Sequence, residues 1–197
     1  MPGRLDKLPK KHRLEAQMSF IEEIGIPGCF RFQVNPRYQD ERGLFVKPLH
    51  LDFLKKGGIQ FECRESFLSF SKQGVLRGMH FQVPPFAVDK IVTCIQGQIW
   101  DVVLDLRRDS KTYGTACGVL LSAENSEALF IPEGCAHGFQ VKNQEGAWVA
   151  YYCSKEYHAE SDKGVHWSSV PIEWPIRNPL VSPRDEKFPH FSEIQVF

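Results

Sequence analysis

A chain of 197 residues, 42% of them hydrophobic, can bury a core of its own and fits one domain with a tail or an elaboration. Its 24 Lys and Arg cancel its 24 Asp and Glu, so no net field recruits nucleic acid or an anionic membrane, and the expected partner is a small molecule. No stretch approaches the roughly 20 apolar residues that span a bilayer, and the six cysteines (Cys29, Cys63, Cys94, Cys117, Cys135, Cys153) lack C-x-x-C spacing, which reads as reduced thiols in a cytoplasmic protein.

Residues 1–17, MPGRLDKLPKKHRLEAQ, are basic without the apolar run of a secretory signal and read as a mobile leader or an arm against a partner. A single domain is expected over 18–197. Within it, short runs rich in Val, Ile, Phe and Trp alternate with Gly, Pro, Asn and Asp, the pattern of an all-β sandwich or barrel. The predicted strands are Phe30–Val34, Leu44–Pro48, Glu65–Ser71, Lys90–Gln96, Gln98–Leu106, Gly114–Leu121, Ala128–Ile131, His137–Val141 and Trp148–Cys153. Leu51–Lys56 is the best helical segment, ended by Gly57-Gly58. Gly97, between two strand-like runs, suggests a hairpin. From Trp174 the chain is Pro-rich and aperiodic, yet its aromatic and aliphatic residues favour a tail docked across the barrel.

Two segments match the motif pair of a cupin-type double-stranded β-helix, or jelly roll. Pro132-Glu133-Gly134-Cys135-Ala136-His137 has the P-x-G-x-x-H spacing of the second motif, whose turn aims the histidine into the barrel. In the first motif two His and a Glu normally join that later His around a metal. Here the order is Gly74, His80, Gln82, Lys90, Gly97, so two ligands have changed. An ammonium has no lone pair to give and repels a divalent cation, so Lys90 argues for a site without a metal; no cofactor is expected. Imidazole beside ammonium suits proton abstraction next to a carbonyl, with the imidazole as base and the ammonium meeting the enolate charge. Protonation on the opposite face needs a second acid, for which a Tyr hydroxyl is suited.

The run GVLRGMHFQVPP, then KIV, GQIWDVVLDLRRDSKTYG, LSAEN, FIPEGCAHGF and GVHW, resembles the dTDP-4-dehydrorhamnose 3,5-epimerase family over about Ile24 to Asp185. The resemblance implies a metal-free homodimeric jelly roll that epimerises C3 and C5 of a dTDP-4-keto-6-deoxyhexose through enolates. It assigns His80 as the base, Asp185 as the carboxylate that fixes its tautomer, Lys90 as the cation near the keto oxygen and Tyr151 as the donor on the other face. His137 and Gln82 join the pocket. Arg42 and Arg77 match diphosphate contacts, suited by the two-pronged guanidinium. Tyr157 matches a base-stacking aromatic, and Asp162 and Arg184 match further contact positions. The arginine of D-E-R-G is the one that reaches into the neighbouring subunit's site, which makes Arg42 a dimer residue.

The recognition shell departs from the family. Beside Phe45, Lys47 stands where a carboxylate is common, and Glu65-Ser66-Phe67 stands where Q-x-N is common, so the base carried by the substrate and double against single epimerisation stay open. Read from the residues alone, Tyr151 between Trp148 and Tyr152 also suits a core ring, and Asp105 reads as structural, paired with Arg107 or Arg108. Two other functions fit the same barrel: a nucleotide-sugar 3,4-ketoisomerase, and a non-catalytic sugar-nucleotide-binding cupin.

Overall fold

The computed structural model describes residues 20–194 except 35 and 36, so the expected leader over 1–17 lies outside the described residues. The described residues form thirteen strands: β1 Ile21–Glu23, β2 Phe30–Gln33, β3 Arg37–Asp40, β4 Gly43–Val46, β5 Glu65–Ser71, β6 Leu76–Gln82, β7 Lys90–Gln96, β8 Gln98–Asp105, β9 Ala116–Ser122, β10 Glu127–Ile131, β11 Cys135–Val141, β12 Ala147–Cys153 and β13 Asp162–Gly164. A six-stranded antiparallel sheet in the order β1-β2-β10-β7-β12-β5 faces a five-stranded sheet in the order β13-β6-β11-β8-β9, and β3-β4 form a separate hairpin. This is the jelly roll that the motif spacing predicts. Among the described residues no helix is long and apolar enough to cross a membrane.

The two-residue period of the strands sorts the side chains into three apolar layers. Ile99 and Val103 of β8, Val92 of β7, Phe139 of β11 and Val149 and Tyr151 of β12 meet between the sheets. Val102 and Leu104 of β8 point the other way, to pack with Met79, Val165, Trp174 and the partly buried Phe191 behind the five-stranded sheet. Ile91 and Phe130 pack behind the six-stranded sheet with Leu54 of helix α1 (Leu51–Lys56) and Ile59. The helix ends where foreseen, with Gly58 at φ +87° just beyond it.

The C-terminal segment lies across the five-stranded sheet. Leu76 N donates to Leu180 O (3.0 Å), and Leu180 N to Gly74 O (2.8 Å). Ile176 exchanges two hydrogen bonds with the Gln140 amide, at 2.8 and 2.9 Å. A docked tail is what its aromatic content predicts.

Gly97 does not turn a hairpin. Its flanking strands β7 and β8 belong to different sheets, so Gly97 (φ +80°) is a corner at which the chain crosses the barrel. A Cβ there would stand 2.3 Å from Gly146 O, and Asn143 Oδ1 accepts from Gln98 N (3.0 Å) just beyond it. Four strands, β1, β3, β6 and β13, were not foreseen from the sequence.

Candidate active site

β6 carries His80, the expected base, and is irregular. Its pairing to β11 shifts register between His137 and Phe139, opposite Gly78. Gly78 sits at φ +109°, and a Cβ on it would stand 2.7 Å from His137 O, so only glycine fits. The shift lets Arg77 and His80, three residues apart, line the same cavity.

The His80 ring is fixed from the tail. Its Nε2 lies 2.9 Å from Asp185 Oδ1, while Asp185 Oδ2 accepts from Gly78 N (3.0 Å) and Asp185 N donates to Ser182 Oγ (3.1 Å). Burial acts to raise the Asp185 carboxyl. The hydrogen bonds from His80, Gly78 and Ser182 outweigh it and hold the group below its ordinary range, so it is a carboxylate at neutral pH. A carboxylate only accepts, which puts the imidazole proton on Nε2 and leaves the lone pair on Nδ1.

His137 stands directly across from His80 on β11 and repeats the device. Its Nε2 lies 2.9 Å from Asp101 Oδ2, deep inside the barrel. Burial raises the Asp101 carboxyl against the opposing pull of His137, and Asp101 Oδ1 has no hydrogen-bond partner among the described residues. The sequence reading left Asp101 without a role. Its place in phase with the inward Ile99 and Val103 was the available signal. Asp105 is structural as read: fully buried, it accepts from Arg107, Ser110 and Thr112, all within 3.0 Å.

Two adjoining cavities share His80, Lys90 and Phe67. The inner one, about 210 Å³, is completed by Ser69, Arg77, His137, Phe139 and Tyr151. The outer one, about 170 Å³, is bounded by Glu65, Gln82, Asp162 and Tyr157 among others. Lys90 opens β7 facing inward. Desolvation lowers its pKa, and Asp162 and Cys153 only partly offset that. Tyr151 is 7% exposed, and burial pushes its phenol well up, so it holds its proton at neutral pH.

The remaining expected residues separate into three groups. Arg77 is aimed by Nε donating to Ser71 Oγ (2.8 Å) and Nη2 to Phe70 O (3.1 Å). Gln82 borders the outer cavity, but its amide is committed to the backbone: Nε2 donates to Phe86 O (2.8 Å), and Oε1 accepts from His158 N (2.7 Å). Glu65 Oε2 accepts from Tyr157 N (2.8 Å), and Arg184 pairs with Asp162 at the rim while its guanidinium lies over the Phe188 ring. Arg42, Phe45 and Lys47 stand on or beside the β3-β4 hairpin, exposed, and none lines either cavity; Arg42 pairs with Asp40.

The donor set does not fit the divalent ion common in this fold. Gln82 is engaged by backbone and an ammonium stands where the carboxylate ligand would, so the two imidazoles alone could offer lone pairs. Among the described residues no group of three or more His, Cys, Asp or Glu could hold a metal ion. What stands in the barrel is a lone pair on an oriented imidazole, a cation beside it and a protonated phenol on the same cleft. That is the equipment of an isomerase that moves a proton next to a carbonyl.

Comparison with known proteins agrees. The family model for dTDP-4-dehydrorhamnose 3,5-epimerase matches residues 23–193. The dTDP-4-dehydrorhamnose 3,5-epimerase of Shigella flexneri is 40% identical over 163 residues, 81% of this chain and 90% of that one. A dTDP-4-dehydrorhamnose 3-epimerase of Streptomyces niveus is 37% identical over 169 residues, 84% of this chain and 81% of that one. Among solved structures, a 3,5-epimerase from Legionella pneumophila in complex with dTDP-4-keto-L-rhamnose superposes with a TM-score of 0.84 at 32% identity, covering 90% of this chain and 95% of that one. The chain belongs to the dTDP-4-dehydrorhamnose 3,5-epimerase family and is an isomerase of the carbohydrate-epimerase class.

Proposed function

We propose that the protein epimerises a nucleotide-diphospho-4-keto-6-deoxyhexose next to its carbonyl, with His80 as base. The observation that carries this is the tail carboxylate of Asp185 on His80 Nε2, which leaves Nδ1 as the acceptor in a cleft shared with Lys90. A carbon acid beside a ketone loses its proton to Nδ1 as the negative charge moves onto the keto oxygen. The Lys90 ammonium meets that charge away from bulk water, where it acts most strongly. Tyr151, protonated and across the cleft, returns a proton to the other face of the carbon, and the configuration is inverted. Each Tyr proton delivered is replaced from solvent, and each His80 proton is released to it, so the cycle balances without a cofactor.

Arg77 faces the diphosphate, Tyr157, 60% exposed at the mouth, offers its ring to the base, and Asp162 and Arg184 hold the rim. The hairpin residues Arg42, Phe45 and Lys47 serve the site of a second subunit in a homodimer. Supporting this, Tyr38, Leu44 and Phe45 of the hairpin and Leu68, Phe70 and Trp148 on the outer face near β5 are exposed apolar groups of the kind a subunit interface covers. Six free cysteines suit a reducing, cytoplasmic setting, and the balanced charge suits a small substrate rather than nucleic acid.

The test is a panel of dTDP-, UDP-, CDP- and GDP-linked 4-keto-6-deoxyhexoses incubated in deuterated water and followed by proton NMR. Deuterium entering C3, C5 or both with inversion supports the proposal and names the base and the centre. Movement of the carbonyl without label at C5 would instead indicate a 3,4-ketoisomerase, and binding without exchange a sugar-nucleotide-binding cupin. Shared sites are tested by mixing: Arg42→Ala and His80→Asn chains, each inactive alone, should together regain about a quarter of the wild-type activity, because half the dimers carry one intact site of two. No regain would place Arg42 outside the partner's site.

A further inference from the structure

We infer that Phe67 is a positioning residue for Tyr151 and thereby sets how often the enolate is inverted rather than returned. The inference rests on the proposed function. Phe67 lies opposite Tyr151 in the β5-β12 register, and the two rings stack with centroids 4.5 Å apart at 16°. On its other side Tyr151 meets the edge of the His137 ring, with centroids 6.1 Å apart at 71°.

The two supports are unequal. His137 is 4% exposed and tied to Asp101, a rigid wall. Phe67 is 46% exposed on an edge strand, and among the described residues β5 pairs only with β12. Among the described residues Phe67 is the aromatic ring stacked on Tyr151 that stands toward the open side of the cleft, and it also borders both cavities. A buried phenol must be held by neighbours that fix its ring plane if its proton is to meet one face of a planar enolate.

The chemistry gives this role its own signature. An enolate formed by His80 has two exits. Protonation by Tyr151 on the far face inverts the carbon, whereas return of a proton from His80 on the near face restores the substrate, now labelled if the imidazole has exchanged with deuterated solvent. Loosening the Tyr151 ring slows the first exit and leaves the second intact. The ratio of labelled recovered substrate to inverted product then rises.

The experiment uses the full chain with the 4-keto-6-deoxyhexose nucleotide that the wild type turns over, in deuterated water, comparing wild type, Phe67→Ala, Phe67→Leu and Phe67→Tyr. We expect Phe67→Ala to lower kcat for inversion by about 10-fold, to leave the rate of label entry into recovered substrate within about 3-fold and so to raise the exchange-to-inversion ratio by several-fold. Phe67→Tyr keeps a flat ring and should restore the ratio, while Phe67→Leu keeps the bulk without the stack and should not. An unchanged ratio in Phe67→Ala, or full rescue by Phe67→Leu, would overturn the inference. Failure of the wild type to exchange any proton would instead defeat the proposed function, so the two failures are told apart.

Discussion

Replacing Asp185 by Asn tests the tail carboxylate with little change of shape. In the wild type, Oδ1 faces His80 Nε2 at 2.9 Å and Oδ2 accepts from Gly78 N at 3.0 Å. An Asn amide keeps the Gly78 bond only by turning its oxygen there, which points its NH2 at His80. Nε2 must then accept, and the ring proton moves to Nδ1, the atom required to take the proton from the sugar. Such a forced tautomer costs about 10³- to 10⁴-fold in kcat, or roughly 4–5.5 kcal/mol of barrier. Substrate contacts elsewhere are untouched, so KM should stay within about 3-fold. Initial rates and label uptake by proton NMR, with thermal unfolding measured alongside, separate this from loss of the tail. A folded Asp185→Asn variant that keeps more than a tenth of wild-type kcat would refute the tautomer argument.

Lys90→Met should abolish turnover while leaving the fold at least as stable as the wild type, because a partly buried, desolvated ammonium is replaced by apolar volume; thermal unfolding reads the change. Since desolvation lowers the Lys90 pKa, its cost to folding is full below the folded value and fades as the pH climbs past it. Turnover should correspondingly decline on the alkaline side before the ordinary lysine value of about 10.4, and a plateau through that region would contradict the assignment. Asp105→Ala should destabilise the fold by about 3–5 kcal/mol, read from the denaturant midpoint, since it strips Arg107, Ser110 and Thr112 of a fully buried acceptor. Burial works to raise the Asp105 carboxyl, yet those donors bring it down to about 2, so its contribution is present above the unfolded value near 3.9 and is lost as pH falls toward 2; the variant should lose that part of the acid dependence.

The strands of the barrel wall were legible because short runs rich in Val, Ile, Phe and Trp stand between Gly, Pro, Asn and Asp, and β5 and β7 fall where those runs put them. β6, Leu76–Gln82, was not, although it carries His80: Arg77, Gly78 and His80 interrupt the apolar alternation, and the register shift at Gly78 removes the period altogether. β1, β3 and β13 are only three or four residues long and exist by virtue of their pairing partners. Gly97 shows a different limit. A hairpin and a corner between sheets need the same positive φ, and the residues that decide between them, Asn143 and Gly146, lie some 46–49 positions further on.

In the site, the spacing of Gly74, His80, Lys90 and the P-x-G-x-x-H turn was readable as barrel-lining chemistry, and the structure brings His80, Lys90, His137 and Tyr151 to one cavity. The carboxylate partners were harder. Asp185 is 105 residues from His80 and came from family likeness, not from any local pattern. Asp101 alternates with Asp105 in phase with Ile99 and Val103, which points it inward, but nothing in the sequence aligns it with His137. Gln82 lies on the cavity wall as expected, and its amide also holds two loops, a bond pattern that no local sequence signal shows.

The most direct test of the account is the rate at which deuterium enters the carbons flanking the ketone of the accepted 4-keto-6-deoxyhexose nucleotide, wild type against His80→Asn. If His80 Nδ1 is the base, the wild type labels the sugar and the variant, which still binds the nucleotide, labels it at least about 10³-fold more slowly. Label entering at the wild-type rate in the variant would mean that another group takes the proton.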